Sequence, residues 1–385
     1  MMKKVAKKGM LMSALLLSVS VFLQACGSQS AAGTGDTIKV VVAGPMTGKA
    51  AQWGESMKNG VNLAVKEIND SGGILGKKVE VQIEDDKGDP KEAVNVAQRI
   101  STSNDVAGVI GHFTSGATMA ASPIYQKAGI PEIAVASTHP KATEAGDYIF
   151  RVNVTNTGQG SGIIDWVVEK QGKRNIAILY DNDDYGNGIA EIAKKRTEEI
   201  RAKVVYEGSI NTTGQQDFYV MLETAKKASP DALVIFSLYA PAAQIVSQAD
   251  KVGLDVLTVG SDAIFTPDFI NIAGQSSEGV YAATWFHSDS QNEGTKKFIE
   301  TYKQVYKQDS DSWSPYAYDA MMIFAEAIKQ AGKVDREAIR DALLKTNNFQ
   351  GATGATTFTE ERVPDPSSKE LLFTVVKDGK FQLVK

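Results

Sequence analysis

Short apolar runs alternate with amphipathic segments along the chain from Ile38 onward. In segment 54–70, for example, apolar residues recur at helical spacing and would form one face of a helix. Such alternation is typical of βαβ units, which build mainly parallel sheets in an α/β fold. The predicted strands are 38–43, 79–83, 106–111, 132–136, 175–180, 203–206, 232–237 and 256–259, and the predicted helices are 54–70, 91–102, 117–128, 159–171, 187–201, 215–228, 241–252, 292–308, 314–331 and 335–346.

The alternation restarts near residue 152, and this restart indicates a second lobe. Residues 148–152 have the pattern of a strand, and residues 154–162 are rich in Gly, Thr and Asn before a new helix. The length of 385 residues also favours two or more domains. No period of about 20–50 residues repeats, which argues against a solenoid.

The N-terminus has the layout of an export signal. Four lysines precede an apolar run of 14 residues, Met10 to Leu23, which is too short for a permanent transmembrane helix. The residues Leu23-Gln24-Ala25-Cys26 resemble the bacterial lipobox, in which the cysteine is acylated. We therefore predict a lipoprotein signal peptide over 1–25, lipid attachment at Cys26 and a flexible tether over 26–36. An ordinary secretory signal is the alternative.

Composition and charge narrow the class of protein. The chain is 43% hydrophobic and 23% charged, with 41 Lys and Arg against 46 Asp and Glu, as in a soluble globular protein. A formal net charge of -5 and the lack of a basic stripe make nucleic acid a poor partner. Cys26 is the single cysteine, so no intrachain disulfide forms.

Candidate chemistry follows the predicted strands, because ligands of open α/β sheets bind beyond the carboxyl ends of strands. In the first half these positions hold small hydroxylic residues at helix starts, a pattern that suits a carboxylate. In the second half they hold an acid and two phenols. The segments are 44–53, 112–118 and 137–140 in the first half, and 181–186, 238–239 and 260–262 in the second.

Each candidate also has a purely structural interpretation. Ser115 and Thr138 could be simple helix N-caps, and Asp262 could cap the segment that comes after it. Tyr185 and Tyr239 could be packing residues with a wet hydroxyl. Their joint appearance at successive strand ends is the observation that favours a site for a zwitterion with an apolar side chain.

Patterns of catalysis and of cofactor binding are absent from the sequence. It contains no G-x-G-x-x-G after a strand, no P-loop, no G-x-S-x-G elbow and no H-E-x-x-H. His112, His139 and His287 are too scattered for a metal site, and the first two are interpreted as structural. The acidic clusters 84–86 and 181–184 are interpreted as solvated loops. We therefore predict no enzyme activity, no catalytic residue, no cofactor and no metal.

The sequence resembles the bacterial leucine/isoleucine/valine-binding proteins, the extracytoplasmic receptors of branched-chain amino-acid ABC importers. The segments VIGHFTSGAT, IAVASTHP, DNDDYGNG and SDAIFTPDF stand in the family's order and at its separations, and the resemblance runs from about Ile38 to the C-terminus. It implies a type I periplasmic-binding fold, with two Rossmann-like lobes of mainly parallel sheets joined by three crossovers. The implied lobes are 37–153 with 286–360 (N-lobe) and 154–285 with 361–385 (C-lobe).

The resemblance also implies a role for each site residue. Ser115 and Thr138 would hold the α-carboxylate of the ligand. The carbonyl of Ala136 and the carboxylate of Asp262 would receive its ammonium, with a hydroxyl contact from Tyr239. Four aromatic residues would line the side-chain end, namely Trp53, Phe113, Tyr185 and Trp313. Asp262 stands where many relatives have Glu, and Gly116 where a second serine is common.

The function implied in this way is capture of an amino acid, Leu, Ile or Val, and its delivery to the transmembrane subunits of an ABC permease. The protein would be a monomer outside the cytoplasm, held at the membrane by its N-terminal lipid. One alternative keeps the fold but binds another amino acid, an amide or an aromatic acid. A second alternative is a ligand-sensing module without transport.

Overall fold

The computed structural model describes residues 37–211, 214 and 216–384. The predicted signal peptide, Cys26 and the tether lie outside the described residues. Within the described ranges, no helix combines the length and the apolar character needed to cross a bilayer.

The first sheet has five parallel strands in the order β2-β1-β3-β4-β5. The central strands are mostly apolar and buried on both faces, as expected when helices cover both sides of a parallel sheet. Its strands are β1 (Thr37–Gly44), β2 (Lys78–Asp85), β3 (Val106–Gly111), β4 (Glu132–Ala134) and β5 (Ile149–Arg151).

The second sheet has seven strands in the order β14-β13-β10-β9-β8-β6-β7. It is parallel from β7 to β10, and the last two strands run antiparallel at one edge. Its first strands are β6 (Asn175–Asp181), β7 (Lys203–Ile210), β8 (Ala232–Phe236), β9 (Leu257–Gly260) and β10 (Tyr281–Thr284). After a separate hairpin of β11 (Phe349–Gly351) and β12 (Gly354–Thr356), the chain returns with β13 (Leu372–Lys377) and β14 (Lys380–Leu383).

Helices cover both faces of both sheets. The helices are α1 (Ala51–Asp70), α2 (Pro90–Ser101), α3 (Ser115–Ala128), α4 (Asn156–Asp165), α5 (Asp184–Glu199), α6 (Tyr219–Lys227), α7 (Tyr239–Lys251), α8 (Pro267–Ala273), α9 (Glu293–Tyr306), α10 (Ser314–Ala331) and α11 (Arg336–Leu343). A π-helical turn, Trp166–Lys170, continues α4.

Successive side chains of β1 point to opposite faces of the sheet and pack into two different hydrophobic cores. Val40 and Val42 pack with α1 and α10 on one face, whereas Val41 and Ala43 pack with α2 and α3 on the other. The second sheet is covered in the same way, by α4 and α5 on one face and by α6, α7 and α8 on the other. The predicted α/β class with mainly parallel sheets is therefore confirmed.

The chain passes between the two sheets three times. It leaves the first sheet after β5, returns to it after β10, and enters the second sheet again before β13. Helices α9, α10 and α11 come after the second passage and contribute Phe298, Phe324 and Ile339 to the core on the first sheet. In both sheets, the loops that lead to the helices begin at the carboxyl ends of the parallel strands.

Close packing of α1 against α10 depends on a glycine. A Cβ atom on Gly60 would collide with the backbone carbonyl oxygen of Ser314 and would stand 3.0 Å from the Cβ of Ala317. Because the colliding atom belongs to the backbone at the start of α10, rotation of a side chain cannot relieve the collision.

We expect Gly60→Ala to lower the free energy of unfolding by about 1–3 kcal/mol, because overpacking outweighs the better helix propensity of alanine. Chemical denaturation measures this loss. Gly158→Ala is the matched control, because its Cβ would lie at an ordinary 3.5 Å from Trp285. The packing argument is wrong if both variants have the stability of the parent.

Candidate functional site

A cavity of about 400 Å³ lies where loops from both sheets meet. Loops after β2, β3 and β4 line it from the first sheet, and loops after β6, β8 and β9 line it from the second. Eight of the predicted site residues line this cavity: Trp53, Phe113, Ser115, Ala136, Thr138, Tyr185, Asp262 and Trp313.

Tyr239, the ninth predicted residue, lies beside the cavity. Its ring packs edge-on against Trp53 with centroids 5.6 Å apart. Its hydroxyl donates a long hydrogen bond of 3.5 Å to the backbone oxygen of Lys49. Since Lys49 precedes α1 and Tyr239 begins α7, the tyrosine joins the two halves at the cavity edge.

The start of α3 is capped by Thr114 and not by Ser115. The Thr114 hydroxyl accepts a hydrogen bond from the Ala117 N–H at 3.3 Å, as an N-cap side chain does. The hydroxyl oxygen of Ser115, which does not cap the helix, accepts from the backbone N–H groups of Thr138 and His139, each at 3.3 Å. Ser115 therefore fixes the loop after β4 against the N-terminus of α3.

Thr138 presents an unused hydroxyl. Its side-chain oxygen is buried and has no hydrogen-bond partner among residues 37–211, 214 and 216–384. A buried hydroxyl without a partner costs about 1–3 kcal/mol. Together with the N-terminus of α3, it forms a wall that favours negative charge on a ligand.

Asp262 supplies the opposite polarity from the loop after β9. Its side chain is only 5% exposed, and burial raises the pKa of the carboxyl to about 6. The amides of Gln159 and Asn153 and the N–H of Ala263 moderate that rise. Asp262 is thus ionised at neutral pH in a place where a cation would stabilise it.

Asn153 and Gln159 are site residues that the sequence analysis missed. Both are fully buried near Asp262, and neither amide nitrogen has a hydrogen-bond partner of normal geometry within the described part of the chain. The signal in the sequence was the polar stretch at 153–162, which predicted only a lobe boundary. Both amides act on the Asp262 carboxylate, and the amide oxygen of Asn153 also accepts a hydrogen bond from the N–H of Val154 at 2.9 Å.

Aromatic rings form the apolar wall. Trp53 stacks on Phe113 with centroids 5.0 Å apart, and Phe113 meets Trp313 edge-on at 5.2 Å. All three are at most 5% exposed. Tyr185 is held by a hydrogen bond of 2.6 Å between its hydroxyl and that of Ser261. The wall therefore has a fixed shape and suits an apolar or flat group.

The interpretation of the acidic clusters as solvated loops is wrong for two of their members. Asp86 and Asp181 are both fully buried. Asp181 accepts hydrogen bonds from the Ser237 hydroxyl at 2.5 Å and from the Leu238 N–H at 3.0 Å. Because Leu238 lines the cavity, this buried acid fixes part of the cavity wall.

The two halves approach closely at the cavity edge. A Cβ on Gly116 would lie 3.0 Å from a carboxylate oxygen of Asp184, and one on Gly188 would lie 2.6 Å from the ring of His139. Three charged residues from the first half, Lys49, Lys87 and Asp89, also line the cavity. As for metals, the described ranges hold no group of three or more His, Cys, Asp or Glu placed to bind an ion.

Comparison with known proteins gives one consistent match. Residues 37–380 match the family model described as periplasmic binding protein. The leucine-, isoleucine-, valine-, threonine- and alanine-binding protein of Pseudomonas aeruginosa is 34% identical over 330 residues, which are 85% of this chain and 87% of that protein.

Two solved structures are similar over nearly the whole described chain. The leucine-binding protein LivK of Thermotoga maritima has a TM-score of 0.85 at 29% identity, covering 90% of this chain and 98% of that one. The branched-chain amino acid transporter substrate-binding protein LivJ of Streptococcus pneumoniae, in complex with isoleucine, has a TM-score of 0.84 at 31% identity, covering 90% and 99%. The predicted type I fold and family are thus confirmed, and the chain belongs to the periplasmic binding protein family.

Proposed function

We propose that the protein captures an amino acid, most favourably leucine, isoleucine or valine, and delivers it to an ABC permease. The observation that carries the proposal is the buried carboxyl of Asp262 in a cavity whose other wall offers hydroxyl and helix N-terminal donors. A zwitterion satisfies both walls at once, which an anion or a cation alone does not.

In this proposal the carboxylate of the ligand binds at the start of α3. The free Thr138 hydroxyl donates to it, with Ser115 and the first N–H groups of the helix around it. Charge-assisted hydrogen bonds of this kind are roughly twice as strong as neutral ones. The helix N-terminus thereby selects for the carboxylate end.

The ammonium of the ligand faces the second sheet. Asp262 is its countercharge, the Ala136 carbonyl accepts one of its hydrogens, and Tyr239 contributes from the cavity edge. Asp262 pairs with a desolvated cation here. Removal of either partner of such a buried pair leaves the other charge uncompensated and lowers the affinity.

The side chain of the ligand packs against Trp53, Phe113, Tyr185 and Trp313. Burial of an aliphatic side chain stabilises the complex by about 0.8 kcal/mol per CH₂ group, so three or four carbons alone give only weak binding. The charged backbone of the ligand therefore supplies much of the affinity. The names of the relatives from Pseudomonas and Streptococcus support the choice of branched-chain ligands.

The site lies between two lobes, and we propose 37–153 with 286–360 as one lobe and 154–285 with 361–385 as the other. Ligand that contacts both lobes shifts the population toward a closed form. The protein acts as a monomer that catalyses no reaction. Acylated Cys26 holds it outside the cytoplasm, at the membrane where the permease lies.

A thermal-shift screen against the twenty amino acids tests the proposal, because a ligand that binds the native state raises its stability. We expect the largest increases in melting temperature with leucine, isoleucine or valine. An increase only with other amino acids would assign the alternative in which the same fold binds another amino acid. No increase with any amino acid would contradict the proposed function.

Removal of the countercharge should weaken binding strongly. We expect Asp262→Ala to cost about 2–5 kcal/mol of binding free energy for leucine, measured by calorimetry, because a desolvated ammonium loses its partner. Asp255→Ala is the matched control, since Asp255 is exposed just before β9. Unchanged affinity in the Asp262 variant would remove that residue from the site.

Affinity should also fall in acid. Binding of an ammonium requires ionised Asp262, whose pKa is about 6 before the ligand binds. Protonation below that pH removes the countercharge, so we expect the affinity at pH 5 to be about tenfold lower than at pH 7. Asp262→Asn should bind weakly with no such decrease. The assignment fails if the variant retains the full acid dependence.

A further inference from the structure

A cluster of five polar side chains lies fully buried beneath the first-sheet wall of the cavity. Asp86 comes directly after β2, His112 directly after β3, Ser122 and Tyr125 belong to α3, and Glu132 begins β4. Each of the five is 0% exposed. We refer to these residues as the buried polar cluster.

His112 is the central residue of the buried polar cluster. Its Nδ1 lies 2.5 Å from Oδ2 of Asp86, and its Nε2 lies 3.0 Å from the hydroxyl of Tyr125. Its backbone N–H donates to Oε1 of Glu132 at 3.3 Å. Three neighbouring segments are thus tied together through one residue.

The segments that the cluster joins are those that line the cavity. Oδ1 of Asp86 accepts from the Gly88 N–H at 2.7 Å, and Gly88 lines the cavity. His112 directly precedes Phe113 of the aromatic wall. Glu132 begins β4, and the loop that comes after β4 carries Thr138. A displacement of the cluster residues would therefore move both the Thr138 hydroxyl and the start of α3, which together form the wall that favours negative charge.

Two short contacts of Ser122 have the geometry that a protonated Glu132 would satisfy. The Ser122 hydroxyl oxygen lies 2.7 Å from Oε2 of Glu132 and 2.7 Å from the backbone oxygen of Thr118. A hydroxyl has one hydrogen and cannot donate to both oxygens. Because a carbonyl only accepts, the Ser122 hydrogen goes either to Thr118 or to an ionised Glu132. When Glu132 is protonated, its carboxyl group donates to Ser122 and Ser122 donates to Thr118, so that both 2.7 Å contacts are hydrogen bonds.

The charges in the cluster agree with that assignment. Burial raises the pKa of Glu132 to about 7, although the nearby imidazole of His112 and the hydrogen bond that Ser122 donates to the ionised carboxylate oppose the rise. An ionised Glu132 would add a second carboxylate, besides Asp86, to a cluster whose side chains are all 0% exposed. The titratable groups that act on Glu132 and Tyr125 are His112 and Asp86 of the cluster, Glu84 of β2 and Arg99 of α2.

We propose that Glu132 is a positioning residue that works as a protonated acid and holds the ligand-binding start of α3 in place through Ser122 and the Thr118 carbonyl. This inference rests on the proposed function. Loss of the proton turns Glu132 into an acceptor, which takes the Ser122 hydrogen away from Thr118. Thr118 lies in the first turn of α3, close to Ser115. Loss of the hydrogen bond from Ser122 to Thr118 therefore weakens the support of the helix start that binds the ligand carboxylate.

Leucine binding measured by calorimetry between pH 6.5 and 8.5 tests the proposal. For the parent protein we expect affinity to decrease about three- to tenfold over this range as Glu132 ionises. Glu132→Gln should change less than about twofold, because its amide donates to Ser122 and accepts from His112 as the protonated acid does. The acid decrease due to Asp262 lies below this range.

Control measurements separate Glu132 from other groups. Glu80→Gln, on the exposed face of β2 in the same sheet, should keep the pH dependence of the parent. The ligand ammonium and Asp181 of the second sheet titrate in the same way in the parent, in Glu132→Gln and in Glu80→Gln. Their contribution therefore cancels when the three pH profiles are compared. Parallel pH profiles of the parent and Glu132→Gln would overturn the proposal.

Infrared spectroscopy of the parent protein without ligand gives a second readout that needs no variant. At pH 6 we expect a protonated carboxyl band that shifts on ¹³C-glutamate labelling and disappears by pH 8.5. Absence of that band would overturn the proposal even if Glu132→Gln fails to fold. A protein that shows the band but binds no amino acid would contradict the proposed function and leave the proton on Glu132.

Discussion

Asp262 sets the condition that the rest of the site satisfies. A carboxyl that is 5% exposed and has a pKa of about 6 is charged at neutral pH, and a buried charge without a partner is strongly unfavourable. The protein surrounds it with the amides of Asn153 and Gln159, which reduce this cost without adding a positive charge. In the proposed function a ligand ammonium supplies that charge, so the affinity of the site would depend on a group that destabilises the empty cavity.

Buried acids recur where loops leave the strands, and they have a common role. Asp86, Asp181 and Glu132 each connect a strand end to a neighbouring loop by hydrogen bonds. Loops at strand ends contain backbone N–H groups that a sheet does not satisfy, and a carboxyl can accept two or more of them. These acids therefore support loops of the cavity wall, and none of the three lines the cavity itself.

The two lobes place different polar groups at the cavity because different structural elements come after their strands. In the first lobe, helix α3 begins shortly after β3 and turns its N-terminus toward the cavity. In the second lobe, β9 leads into a short 3₁₀ turn that begins with Asp262. One lobe thus presents donors and the other an acceptor, so a dipolar ligand has one favoured orientation between them.

Local pattern was sufficient for the fold class and for the positions of most elements. The spacing of apolar residues predicted β3 and α10 at their observed bounds, because buried parallel strands and amphipathic helices have distinct periods. It missed β10 to β14 and α8, which are short and whose stability depends on packing that sequence spacing does not report. Helix α3 begins two residues earlier than predicted because Thr114 caps it.

The sequence by itself determined which residues follow strand ends, and seven of the nine predicted site residues line one cavity for that reason, whereas Trp313, which precedes α10, was predicted from the family resemblance. Only the tertiary structure decided that Asp86 and Asp181 are buried, that Thr138 retains a free hydroxyl and that Asn153 and Gln159 surround Asp262. These properties depend on which loops meet across two sheets, and residues far apart in the chain set them through burial and hydrogen-bond geometry.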